Sequence, residues 1–101
     1  MNGLRQVARE YLEAHGKLGQ YLTHGVSHDV GLEVHDAPAS FSSQPLEAGM
    51  VITVEPGVYI LEEKTGLRIE DVVLVTANGA EVLSADLPKE PGAIEEAMAG
   101  R

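Results

Sequence analysis

The chain has 101 residues, 44% of them apolar, and its seven Lys and Arg against sixteen Asp and Glu give a formal charge of −9. That length fits one domain with a modest core, and without a basic run to follow a phosphate backbone neither nucleic acid nor anionic membrane is an expected partner. There is no cysteine, which removes disulfides and thiolate sites and leaves any metal to His, Asp and Glu, donors suited to hard or borderline divalent cations.

The opening MNGLRQVARE lacks the apolar centre of a signal peptide, and runs such as Met50 to Val54 are far too short to span a membrane. A soluble, cytoplasmic protein is the expectation. Leu4, Val7, Ala8, Tyr11 and Leu12 recur at helical spacing opposite Arg5, Arg9, Glu10 and Glu13, which predicts an amphipathic helix stopped near Gly16. His15, at its end, suits the negative pole of the helix dipole. A short strand at Leu18 to Thr23 is compatible with the next stretch.

Residues 24–36 read HGVSHDVGLEVHD, with three of the chain's four histidines, two glycines and three carboxylates. The glycines and mixed polarity predict irregular backbone, a loop between strands. His24 and His28 stand four apart, as in a HExxH zinc helix, but Gly25 occupies the place of the glutamate and disfavours the helix. Each ring therefore has two readings, a metal or substrate contact and a hydrogen-bonded loop residue.

Residues 37–49, rich in Pro and Ser, read as a connection. Met50 to Glu55 is β-branched enough for a central strand that Pro56-Gly57 breaks before Val58-Tyr59-Ile60, so Glu55 stands at a strand end. After a polar turn at Glu62 to Gly66, GLRIEDVVLVT predicts a second strand, and Asn78-Gly79 turns it into a return segment, giving a β-meander. The tail 88–101 is expected to be weakly ordered, with one or two helical turns over Ala93 to Ala99. The fold class expected is α+β, one unit over 1–101.

Glu55 and Glu70 are out of place among apolar neighbours, because an unpaired buried carboxylate costs several kcal/mol and is normally paired or metal-bound. Without a metal, Glu55 is a strand-end group facing water and Glu70 pairs with Arg68, two residues away on the same strand face. Asp71, on the opposite face, reads as a solvated or turn-facing group. Together, an imidazole and two strand-borne carboxylates suit a divalent metal, and a pair of such ions suits hydrolysis.

The ordered motifs HGVSHDVGLEVHD, LEAGMVITVEPGVYI and GLRIEDVVLVT resemble the C-terminal half of the pita-bread (M24-type) metallopeptidases, which include Xaa-Pro aminopeptidase, Xaa-Pro dipeptidase and methionine aminopeptidase. The resemblance runs from about Leu4 to Leu87, and its Val-His-Asp ending is closer to the proline-specific members. It implies an N-terminal helix followed by a mostly antiparallel, curved sheet. It implies His28, Glu55 and Glu70 as metal ligands, Glu70 bridging two ions; His24 and His35 as catalytic and substrate-binding groups; and Arg68 as support for the bridging carboxylate. The implied reaction is hydrolysis of a peptide with proline in second position, Glu55 moving the proton, with manganese first among the ions and cobalt or zinc as alternatives. The family's two further ligands are aspartates from the preceding half, and residues 1–23 contain none. The chain is accordingly expected to be a fragment, inactive alone, and to self-associate or require a missing N-terminal half. The alternative is a non-catalytic peptide-binding or interaction module of the same descent.

Overall fold

A computed structural model describes residues 2–36 and 43–100. Helix α1 spans Asn2–Ala14, as the apolar stripe predicts. It ends where Gly16 and Lys17 take φ of +142° and +56°, turning the chain back so that the Leu18 N–H reaches the Leu12 carbonyl at 3.1 Å. His15 donates through Nδ1 to the Tyr11 carbonyl in the last turn, at 2.8 Å. The strand expected over Leu18 to Thr23 does not form. The Tyr21 N–H bonds to the Leu18 carbonyl and the Leu22 N–H to that of Gly19, a tight 3-10 turn over Gly19–Tyr21.

The sheet is a meander with a crease. Strands β1 (Val51–Val54) and β4 (Asp71–Thr76) pair antiparallel, and β5 (Gly79–Val82) adds to the other edge of β4. Strands β2 (Gly57–Ile60) and β3 (Thr65–Arg68) form a separate two-stranded ladder. Val54 pairs with Asp71 and Gly57 with Arg68, so one pairing offset runs through both ladders. Glu55-Pro56 and Ile69-Glu70 form the interruption between them. The single strand expected for GLRIEDVVLVT is thus two, in different ladders: Pro56, across the crease, has no N–H to contribute to a ladder.

The histidine segment is not a loop between strands. It precedes β1 and lies along its outer edge: the Glu55 N–H bonds to the Val26 carbonyl at 2.7 Å, the Thr53 N–H to that of His28 at 2.9 Å, and the Val30 N–H to that of Val51 at 3.2 Å. An isolated antiparallel bridge joins Asp29 to Ile52. The His28 N–H departs from this pattern by donating to the Thr53 hydroxyl at 3.0 Å, and a regular strand is interrupted there.

Leu22, Val26, Ile52 and Val73 form the buried apolar core, with Thr53 buried among them. Leu22 follows the 3-10 turn, Val26 lies in the histidine segment, Ile52 in β1 and Val73 in β4. The stripe of α1 is only partly used, since Val7 and Tyr11 remain 66% and 63% exposed. The connection expected over residues 37–49 falls in part outside the described residues, and the tail carries a second helix, α2, at Pro91–Ala99. Among the described residues, no helix is long and apolar enough to cross a membrane.

Candidate metal centre

His28 is oriented by its own backbone. Its Nδ1 lies 2.7 Å from the Asp29 carbonyl oxygen, which can only accept, so Nδ1 carries a proton and Nε2 is turned toward Glu55, where a cation between the two would take its lone pair. A carbonyl behind a ring in this way fixes the ring's direction and keeps a proton on Nδ1, the arrangement that typically supports a metal-binding histidine. Pairing of the histidine segment with β1 then brings Nε2 to 3.2 Å from Oε2 of Glu55.

Glu55 and Glu70 occupy the crease, where continuing the common pairing offset sets them opposite each other. One donor atom from each of His28, Glu55 and Glu70 lies within 4.8 Å of the others, and this is the one group of its kind among the described residues. Two like charges so placed repel. The Glu70 carboxyl is held above the ordinary glutamate range, first by partial burial, then by the Glu55 charge and the hydrogen bond shared with it; His28 and Arg68 act in the opposite direction. A divalent cation would relieve that crowding, and an imidazole nitrogen with two carboxylates is a donor set it accepts.

Arg68 stands with Nη1 3.9 Å from Oε1 of Glu55, so its close ion pair is with the opposing carboxylate rather than with its strand neighbour Glu70. The guanidinium charge nevertheless reaches Glu70, lowering its pKa. Asp71 takes the turn-facing of its two expected placements, directed at Ser84 in the turn after β5. It accepts the Ser84 hydroxyl at 2.7 Å and pairs with Lys89 at 3.1 Å, and these contacts hold its carboxyl below the ordinary aspartate range against a burial effect that raises it.

His35 lies against His28, ring centroids 4.3 Å apart at 60°. The Asp36 N–H closes this turn on a side-chain oxygen of Asp29 at 2.6 Å. His24 is elsewhere, with Nδ1 donating to the Gly25 carbonyl at 2.6 Å and Nε2 accepting from the Tyr59 hydroxyl at 3.1 Å. The three rings of the motif thus separate into a pair at the donor group and one at the β2 ladder.

Several supporting residues are illegible as sequence. Thr53, in a β-branched run, gives no sign that its hydroxyl holds His28. Arg5, on the polar side of the α1 stripe, donates to the Leu22 and His24 carbonyls, each at 3.3 Å. Tyr59 had one signal: it shares a strand face with Gly57, and a Cβ at Gly57 would stand 2.6 Å from the Tyr59 hydroxyl and 2.8 Å from His24 Nε2.

Comparison with known proteins gives this geometry a context. Residues 1–77 match the sequence model of Metallopeptidase family M24. Xaa-Pro aminopeptidase 3 of Rattus norvegicus is 49% identical over 86 residues, covering 76% of this chain and 17% of its own length. A Xaa-Pro dipeptidase from Bacillus anthracis superposes with a TM-score of 0.70 at 43% identity, over 86% of this chain and 25% of that one. Aminopeptidase P from E. coli with the inhibitor Pro-Leu superposes with a TM-score of 0.72 at 33% identity, over 95% and 28% respectively. The chain spans less than a third of each of these relatives, and its helix and antiparallel ladders match a fragment of their pita-bread fold.

Proposed function

The chain belongs to metallopeptidase family M24, and from that premise we propose that it is the part of an Xaa-Pro peptidase in which His28, Glu55 and Glu70 hold a divalent metal, manganese first and cobalt or zinc as alternatives. The observation that carries the reading is the convergence of these three donors within 4.8 Å from segments far apart in sequence. Such an ion, when bound, supplies Lewis acidity and lowers the pKa of water.

The chain's own residues would do the rest. The Asp29 carbonyl keeps the His28 proton on Nδ1, leaving Nε2 for the metal. Glu55, with one oxygen toward His28 and the other toward Arg68, is placed to hold a proton and pass it on. His35, beside His28, and His24, hydrogen-bonded to Tyr59, are the groups proposed to meet the peptide. The Xaa-Pro specificity in the relatives' names, together with the Pro-Leu inhibitor, supports a peptide with proline in second position as substrate.

The chain alone is proposed to be inactive, because three protein donors leave half the positions of an octahedral ion to water and Glu70 is exposed. Titration with Mn²⁺ by calorimetry tests the centre: uptake by the 101-residue chain that Glu70→Gln and His28→Ala abolish is expected. Absence of uptake at millimolar Mn²⁺ would sink the metal reading. Metal-dependent release of the first residue from an Xaa-Pro peptide would overturn the proposed inactivity.

A second reading, a non-catalytic peptide-binding or interaction module, draws on a different observation. An apolar groove of about 390 Å³ lies between α1 and the sheet, lined by Leu4, Val7, Tyr11, Leu12, Val26 and Val54. Self-association, or a covering segment equivalent to an N-terminal half, is the proposed occupant. The same titration decides between the readings, since the module requires no metal.

A further inference from the structure

Ile69 and Glu70 belong to neither ladder. Glu70 is held in place by what anchors the chain on each side of it. On the N-terminal side Arg68 is paired with Gly57; on the C-terminal side Asp71 is paired with Val54, the last pair of its ladder. A terminal pair frays more readily than an internal one, and the backbone of Asp71 is one peptide unit from the candidate ligand.

The side chain of Asp71 points away from Glu70, as successive residues of an extended chain do, and enters a hydrogen-bonded network. Ser84 donates its hydroxyl proton to Asp71 at 2.7 Å and accepts the Val72 N–H at 3.0 Å, and the Leu83 N–H bonds to the Val72 carbonyl at 2.8 Å. The Lys89 ammonium, 3.1 Å from the same Asp71 oxygen, also reaches the Ser84 and Leu87 carbonyls at 3.4 and 3.3 Å. An ammonium has three N–H donors, and three oxygens surround this one. Lys89 thereby ties the turn after β5 to the first residue of β4. It also seats Leu87, Pro88 and Ile94 as one wall of a groove of about 250 Å³ whose other wall includes Ile69 and Glu70.

We propose that Lys89 is a positioning residue for Glu70: by locking Asp71 from behind, it holds the C-terminal side of the crease so that the Glu70 carboxylate stays aimed at Glu55 and His28. The tail after β5 is on this account a working part of the centre. The consequence for metal affinity rests on the metal reading above; the mechanical lock does not.

Amide hydrogen exchange and Mn²⁺ titration, run in parallel on the full 101-residue chain, test both halves. Lys89→Met is expected to speed exchange at Val72 and Leu83 by roughly tenfold while Val75, bonded to the Met50 carbonyl, keeps its protection. It is also expected to weaken Mn²⁺ binding by roughly tenfold, within the range for loss of a supporting contact behind a ligand. Lys89→Arg restores both. Should loss of Val75 protection show that Lys89→Met has unfolded, Lys89→Gln carries the same measurement. Unchanged exchange at Val72 overturns the lock, whether or not metal binds. Loosened Val72 with unchanged Mn²⁺ affinity overturns the positioning role. A parent chain that takes up no Mn²⁺ overturns the metal reading and with it the effect on affinity, while the exchange data still decide the lock.

Discussion

Glu55 and Glu70 face each other across a crease that interrupts two antiparallel ladders sharing one pairing offset, and His28 Nε2 stands 3.2 Å from the first of them. Opposed carboxylates destabilise a metal-free sheet; a cation between them converts the repulsion into binding. Glu70→Gln should therefore stabilise the metal-free chain near neutral pH by about 0.2–1 kcal/mol while removing Mn²⁺ uptake. Urea unfolding in chelator and calorimetric titration check the two signs, and a variant that binds metal as well as its parent would refute the assignment of Glu70.

The pH dependence of the metal-free chain should show two opposed contributions. Glu70 has a raised folded pKa, so the stability linked to it is complete below the ordinary glutamate value and is lost as pH rises through the folded value. Asp71 has a lowered folded pKa, so its contribution is present above the ordinary aspartate value and is lost as pH falls through the folded one. Urea midpoints followed across the acid range should lose the decline on the high-pH side in Glu70→Gln and the decline on the low-pH side in Asp71→Asn. A Glu70→Gln curve parallel to the parent's would contradict the first half.

Thr53 is 3% exposed and its hydroxyl accepts the His28 N–H. Thr53→Val keeps the shape but leaves that donor without a partner, a loss of about 1–3 kcal/mol; Thr53→Ser should retain most of the stability. The comparison of the two unfolding free energies separates the hydrogen bond from packing. Equal values for Val and Ser would mean that the hydroxyl does not matter.

The Ser27 hydroxyl oxygen is buried and has no hydrogen-bond partner among the described residues. Removing it by Ser27→Ala relieves a desolvated polar atom, and stability should rise by up to about 1 kcal/mol. A lower thermal midpoint in the variant would show that the hydroxyl is satisfied in solution.

At Gly57 the three atoms nearest an added Cβ all belong to the ring ends of Tyr59 and His24. Gly57→Ala should accordingly cost little stability, about 1 kcal/mol or less, yet separate Tyr59 from His24. Loss of the cross-peak between the two rings in a nuclear Overhauser spectrum is the expected result; its persistence in a folded variant would contradict the crowding.

The residues of α1 and of the strands carry their own local signals. A 3.6-residue apolar stripe specifies Asn2–Ala14, and β-branched runs specify Val51–Val54 and Asp71–Thr76. The donor types at His28, Glu55 and Glu70 were legible too, because their motifs occur in order and because a carboxylate in an apolar strand needs a reason. Ser84 and Lys89 gave no such signal. Their contacts with Asp71 join segments that only the return of β5 brings together, and a serine or lysine in a polar stretch is ordinary.

Sequence alone thus determined the family, through its ordered motifs, the main element types, through local periodicity, and which side chains are candidates to hold a metal, through their donor chemistry. Only the tertiary structure decided that the long apolar run splits at Glu70, that Glu55 stands opposite it, and that the histidine segment lies along the edge of β1 with His28 aimed inward. Pairing offset, a missing N–H at Pro56 and the hydrogen bonds of one edge set those relations. They are properties of two strands together, and neither strand's residues state them separately.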